Sequence, residues 1–151
     1  AIGASISRGN RLTFSITGDG GLQMNIQELE TISREKLPIK ILVVNNRELG
    51  KISEIQHGSY EDRYIITTPE SGYTVPDFVK IANAYGIKAA KLDSYQELID
   101  YKEWLEDKEP CLLNIMLTPG TLLIPKIRWE TGTIKPDIDE EMLKKVKALI
   151  G

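Results

Sequence analysis

Apolar residues along the chain follow two rhythms. Over residues 11–16 they alternate, with Leu12, Phe14 and Ile16 on one side, the period of a β-strand. Over residues 25–36 they recur at Ile26, Leu29 and Ile32, the spacing of a helix, and Asn25 and Glu28 stand in capping-box relation at its start. Leu37-Pro38 closes that helix, and residues 39–44 form a short branched run of the kind found in strands buried on both faces. Residues 49–56 read as a short helix. Residues 58–73, with Pro69 and Gly72 and no clear period, read as a loop long enough to suspect function. Residues 75–85 are helical, with Phe78, Val79, Ile81 and Ala82 as the buried stripe and Gly86 as the stop. A strand at 87–92 follows, then an amphipathic helix at 94–107 capped by Ser94 with Glu97 in the first turn, then a strand at 110–117. Small apolar residues at 1–6 suit the tail of a helix that Gly9-Asn10 breaks. A proline-bearing tail at 118–138 leads into a short, basic, amphipathic helix at 140–150.

Strands that alternate with helices predict an α/β fold, a parallel sheet with helices on both faces. Ligands in such sheets bind outside the carboxyl ends of the strands. Two of those ends carry polar clusters. Gly18-Asp19-Gly20-Gly21 lies in a Gly-rich turn at 17–21 after the first strand, and Asn45-Asn46 follows the second.

Composition narrows the chemistry. The net charge is −3 with no basic block, so nucleic acid is a poor partner, and any phosphate must be held by backbone N–H groups, a metal or a few placed cations. Cys111 is the only cysteine, set in an apolar run, which excludes a disulfide framework and points to a reducing, cytoplasmic setting. The apolar run at 39–44 is interrupted by Lys40 and is far short of a membrane span. The chain opens without Met on what reads as the middle of a helix, so it is expected to be a fragment or an excised domain.

Glycines at a strand end let a ligand approach the backbone, and a helix beginning nearby offers free N–H groups to a phosphate. A carboxylate there opposes a phosphate unless a divalent cation lies between them, and Mg²⁺ readily bridges the two. Gly-Asp-Gly alone is a common turn, and Asn-Asn alone a common cap. Together, at the ends of strands joined by one crossover helix, Asp19 and Asn46 can face one ligand.

Gly18-Asp19-Gly20, then 24 residues, then Asn45-Asn46 resembles the signature of thiamine-diphosphate-dependent enzymes. Gly-Leu-Gln-Met-Asn-Ile-Gln-Glu-Leu at 21–29, Lys-Leu-Pro-Ile-Lys-Ile at 36–41 and Asp-Phe-Val-Lys-Ile-Ala-Asn-Ala-Tyr-Gly at 77–86 are similar to the acetolactate synthase-like branch. The resemblance covers residues 1–117, read as the diphosphate-binding domain of the thiamine-diphosphate-binding fold, incomplete at its N-terminus, with 118–151 as a C-terminal arm and helix. It implies that Asp19, the Asn46 side chain and the Glu48 main-chain carbonyl ligate Mg²⁺, with diphosphate oxygens and a water completing the octahedron. It also implies that Gly18, Gly20 and Gly21 line the diphosphate, and that Leu49 and Gly50 lie beside the cofactor. Where the family often has Gly, this chain has Arg47.

The resemblance implies a 2-keto acid enzyme, first an acetolactate synthase-like transferase that decarboxylates a pyruvate-like donor and passes its acyl group to an acceptor. A decarboxylase, lyase or hydrolase of the same family is the alternative within the class. A non-catalytic diphosphate-binding α/β module is the alternative outside it, although neither Gly-x-Gly-x-x-Gly nor a Walker loop is present. The family's activating glutamate comes from a separate pyrimidine-binding domain, usually of a partner subunit in a homo-oligomer, so this chain alone is expected to be inactive. His57, Gln56 and Arg63 edge or occupy the long loop and are either solvated residues or substrate contacts. Trp104 and Trp129 read as packing residues, 122–126 as an arm that approaches the site, and Lys144, Lys145 and Lys147 as a solvated helix face.

Overall fold

The computed structural model describes residues 1–121, 127–128, 135–136 and 139–150. They fall into two compact units, Ala1–Thr121 and Leu122–Gly151. In the first, α1 (Ile2–Ser7) leads to β1 (Thr13–Gly18), α2 (Asp19–Gln23), α3 (Glu28–Arg34), β2 (Ile39–Asn45), α4 (Gly50–Ser59), α5 (Phe78–Ala84) and β3 (Lys88–Leu92). A 3-10 helix (Tyr95–Tyr101) then runs into α6 (Lys102–Glu106), and β4 (Cys111–Met116) completes the sheet. The second unit holds a short antiparallel pair, β5 (Ile127–Arg128) with β6 (Lys135–Pro136), and α7 (Glu140–Ile150). The arm at 122–126 and Trp129 lie outside the described residues, as does the Lys147 side chain; Lys144 and Lys145 are exposed, Lys145 paired with Glu141. Among the described residues no helix is long and apolar enough to cross a membrane.

The four strands of the first unit are parallel, in the order β1-β2-β4-β3. All their carboxyl ends therefore lie along one edge. Gly18 pairs with Val44, which sets Asp19 beside the end of β2. The sheet is covered on both faces, as the alternating pattern predicts. Leu22, Leu29, Ile32, Phe78 and Ala82 bury Ile39, Ile41 and Val43 on one side, and Leu98, Tyr101, Trp104 and Leu105 cover Leu113 and Ile115 on the other. Edge strand β1 keeps its polar side inward: Ser15 and Thr17 are half-buried while Phe14 and Ile16 are 50% and 71% exposed.

Several local expectations differ from the structure. The turn at 17–21 is in fact the end of β1 running directly into the helical turn α2. The capping box is absent, because the chain turns through residues 24–27 before α3 begins and no side chain caps that helix. The helix at 75–85 shortens to Phe78–Ala84 because Asp77 caps it, its carboxylate accepting from the N–H groups of Val79 and Lys80, and Gly86 at φ 75 ends it. The helix at 94–107 is split, a 3-10 segment first and one α-turn after, with Ser94 at the N-terminal boundary but making no cap bond to the backbone.

Lys40, which interrupts the apolar pattern of β2, is fully buried. It is in register with Cys111, and Cys111 with Lys88, at the amino ends of three strands. Lys40 donates to Asp107 at 2.6 Å and to the Glu109 carbonyl, Lys88 closes on the other Asp107 oxygen, and Lys88 sits 5.2 Å from the Trp104 ring. A buried ammonium is tolerated only with such acceptors. Burial opposes the Asp107 charge, but hydrogen bonds from Lys40, Lys88 and the Glu109 amide outweigh it and hold the carboxyl at about 2.

Candidate functional site

The carboxyl ends of β1 and β2 bring the two polar clusters together. Asp19 opens α2 and is 2% exposed. One carboxylate oxygen accepts from the Gly20 amide at 2.7 Å, and the amides of Arg47 and Glu48, from the segment after β2, also face the group. The other oxygen, Oδ2, is buried without a hydrogen-bond partner among the described residues. Burial drives the Asp19 pKa upward and the surrounding N–H groups only partly counter it. A buried ionised carboxylate with one oxygen unpaired by the protein is costly, and a bound cation removes that cost.

The second strand end is shaped by its asparagines. Asn45 is buried; its Oδ1 accepts from the Arg47 amide at 3.0 Å and its Nδ2 donates to Asn114. The Asn46 Oδ1 accepts from the Glu48 amide at 3.2 Å, leaving the amide oxygen a second lone pair. Arg47, between Asn46 and Glu48, adopts φ 58, the left-handed region that residues with a side chain rarely adopt. Glu48 is steered by its side chain, which accepts from the Gly120 amide at 3.0 Å.

Three of the glycines stand close against neighbouring side chains. A Cβ on Gly20 would lie 2.6 Å from the Leu49 Cδ2 and 3.2 Å from the Tyr73 hydroxyl; one on Gly50 would lie 2.8 Å from the Asn46 Nδ2, and one on Gly21 2.7 Å from the Thr17 hydroxyl. Gly18 meets nothing closer than 4.0 Å. Gly20→Ala is expected to push aside the far end of the half-buried Leu49 side chain, and because that end is flexible the loss in urea unfolding is expected to stay under about 1 kcal/mol. A clearly larger loss would show that Leu49 cannot move aside.

Of the residues singled out from sequence, Asp19, Gly20, Asn46, Glu48, Leu49 and Gly50 converge at this edge. His57 and Arg63 do not reach it through any hydrogen bond or ion pair described. His57 is exposed with Nδ1 2.5 Å from Asp62, and Arg63 is exposed beside Glu61 at 3.3 Å. Gln56 accepts from the Thr67 hydroxyl. Sequence reasoning missed the residues that hang the long loop over the site. The Leu49 amide donates to the Thr67 carbonyl at 2.9 Å, the Ser71 hydroxyl accepts from the amides of Thr67 and Thr68, and the Tyr73 hydroxyl accepts from the Gln23 side chain at 3.1 Å. The one available signal was the hydroxyl-rich run Thr67, Thr68 and Ser71 inside an otherwise patternless loop. Burial, then the Asp19 charge, push the Tyr73 phenol upward, so it is protonated at neutral pH.

The donor set suits a hard divalent ion: one carboxylate oxygen lacking a partner, one amide oxygen, and a main-chain turn between them. Residues 1–115 match the model of the family described as "Thiamine pyrophosphate enzyme, C-terminal TPP binding domain". The chain is 37% identical over 161 aligned positions to the "Probable acetolactate synthase large subunit" of Methanocaldococcus jannaschii, covering 97% of this chain and 26% of that one. It is 40% identical to the acetolactate synthase large subunit of Cyanidium caldarium, covering 82% of this chain and 19% of that one. In fold it is similar to a thiamine diphosphate-dependent 4-hydroxybenzoylformate decarboxylase of Rhodococcus jostii RHA1, with a TM-score of 0.68 at 23% identity, over 79% of this chain and 22% of that one. The chain thus spans about a quarter or less of the length of these relatives.

Proposed function

The chain belongs to the thiamine pyrophosphate (thiamine diphosphate) enzymes, as their C-terminal cofactor-binding domain, and from that premise we propose that it holds Mg²⁺ and the cofactor's diphosphate for a 2-keto acid reaction. Asp19, the Asn46 amide oxygen and the Glu48 carbonyl would hold the ion, which would supply the positive charge that lets a carboxylate and a diphosphate share this strand edge. The orphaned Asp19 Oδ2 is the observation that carries this reading. Gly18, Gly20 and Gly21 let the diphosphate approach the backbone, and Leu49 and Gly50 flank the cofactor.

When bound, thiamine diphosphate supplies the carbanion-stabilising chemistry that a 2-keto acid needs to lose carbon dioxide; the protein supplies position and electrostatics. Asp19 would neutralise part of the ion's charge on the protein side, and Leu49 packs its side chain against Gly20 at the strand end. The parent activity we propose is acetolactate synthase-like: decarboxylation of a pyruvate-like donor and transfer of its acyl group to an acceptor. The named relatives favour it over a simple decarboxylase. Residues 1–117 form the cofactor-binding domain and 118–151 an arm. This domain works with a pyrimidine-binding domain that brings the activating glutamate, in a cytoplasmic homo-oligomer. Thiamine diphosphate titrated calorimetrically in Mg²⁺ is expected to bind, and in EDTA not to bind. Equal heats and affinities in the two buffers would refute the metal-bridged site.

A further inference from the structure

The long loop between α4 and α5 brings the Tyr73 side chain to the strand ends. Its hydroxyl lies 3.2 Å from the point where a Cβ on Gly20 would stand, directly over the turn that begins α2. The acceptor side of that hydroxyl is used by the Gln23 amide at 3.1 Å. A phenol carries one proton as well, and that proton finds no acceptor among the described residues.

The placement is built rather than incidental. The Tyr73 amide donates to the Thr68 carbonyl at 2.9 Å, and the Ser71 amide donates to the same carbonyl at 3.1 Å. Thr67 is tied twice, through the amide of Leu49 just before α4 and through the Gln56 side chain on α4. Gln23, on α2, fixes the far end. The phenol is thus suspended between the two helices that begin at the metal-binding strand ends, and its ordering cost is met before any ligand arrives.

We propose that Tyr73 is a further binding residue of this site, its phenolic O–H donating to a diphosphate oxygen that the divalent ion leaves free, with Gln23 as the positioning residue. The proposal rests on the reading of the site as a metal–diphosphate site. In a protein of net charge −3, a neutral donor adds a contact to the anion without a further lysine or arginine. Hydrogen bonds to charged acceptors are the stronger class, so loss of one is readable as an affinity change.

The test is thiamine diphosphate binding to the full chain by calorimetry in saturating Mg²⁺, with Tyr73→Phe and Gln23→Leu beside the wild type. Tyr73→Phe is expected to weaken binding roughly tenfold. Gln23→Leu, which leaves the phenol present but untethered, is expected to weaken it by a smaller factor. The Mg²⁺ concentration needed for half-saturation at saturating cofactor is expected to stay at the wild-type value in both, whereas general distortion of the site would shift it. Wild-type binding with Tyr73→Phe affinity unchanged overturns the role of Tyr73 and leaves the metal site standing. A shifted Mg²⁺ requirement also overturns it, in favour of a packing role. Absence of wild-type binding overturns the metal–diphosphate reading and this proposal with it. If Tyr73→Phe does not fold, Gln23→Leu decides alone, and unchanged affinity there overturns the proposal.

Discussion

Asp19→Asn is expected to abolish Mg²⁺-dependent thiamine diphosphate binding and, at the same time, to stabilise the cofactor-free protein. The two effects have one cause. Asp19 is buried with Oδ2 lacking a partner among the described residues, so without a bound cation its charge is a cost. Asparagine keeps the shape and an oxygen for the Gly20 amide but removes the charge that the ion requires. Losing a carboxylate ligand in a buried site costs on the scale of about 3 kcal/mol, so affinity should fall roughly a hundredfold or more. Burying a neutral amide is cheaper than burying a carboxylate, so unfolding free energy without cofactor should rise by about 1 kcal/mol or more at neutral pH. The pH dependence has a definite sign. Burial raises the folded-state pKa of Asp19, so the penalty is full above that pKa and absent below the unfolded-state value. The stability difference between variant and wild type should therefore shrink as pH falls into the acid range. A variant that binds like wild type in Mg²⁺, or that is destabilised without cofactor, would contradict this account of Asp19.

At the opposite end of the sheet, Asp107→Ala is expected to destabilise the protein by about 3 kcal/mol, and Lys40→Met by much less. Removing Asp107 leaves the fully buried Lys40 ammonium with the Glu109 carbonyl alone among the described residues, the situation in which breaking a buried pair costs most. Asp107 is a third exposed, which places the effect at the lower end of that range. Removing Lys40 instead substitutes an apolar chain of similar size in an apolar strand, while Asp107 keeps Lys88 and the Glu109 amide. The acid response follows from the carboxyl held at about 2. A depressed folded-state pKa contributes stability that is present above the unfolded value of about 3.9 and is lost as pH falls through the folded one. Wild type should lose this increment between those values, and Asp107→Ala should not. Urea midpoints measured against pH decide it, and equal losses for the two variants would show that Lys40 does not depend on Asp107.

The fold was legible because its signals are periodic and local. The branched run at 39–44, expected to be buried on both faces, and the strand expected at 110–117 stand where expected, as β2 and β4. The paired clusters at Asp19 and Asn46 were legible because parallel strands put their carboxyl ends on one edge. What was illegible depends on long-range contacts. Nothing near Lys40 in sequence announces Asp107 or Glu109, so a lysine in an apolar strand read only as an interruption. Phe14 and Ile16 alternate as a strand does, yet periodicity gives the strand and not which side faces the core. The capping box at Asn25 and Glu28 failed because an extra turn intervenes before α3, a one-turn uncertainty inherent in helix starts. Tyr73 was hidden within a loop without period, where position is set by hydrogen bonds to α2 and α4.

A crystal structure of the chain grown with Mg²⁺ and thiamine diphosphate reaches the question most directly. One ion is expected with the Asp19 Oδ2, the Asn46 amide oxygen and the Glu48 carbonyl each at about 2.0–2.1 Å, and diphosphate oxygens in the same shell. An ion bound elsewhere, or a diphosphate seated at this edge with Asp19 turned away from it, would contradict the site described above.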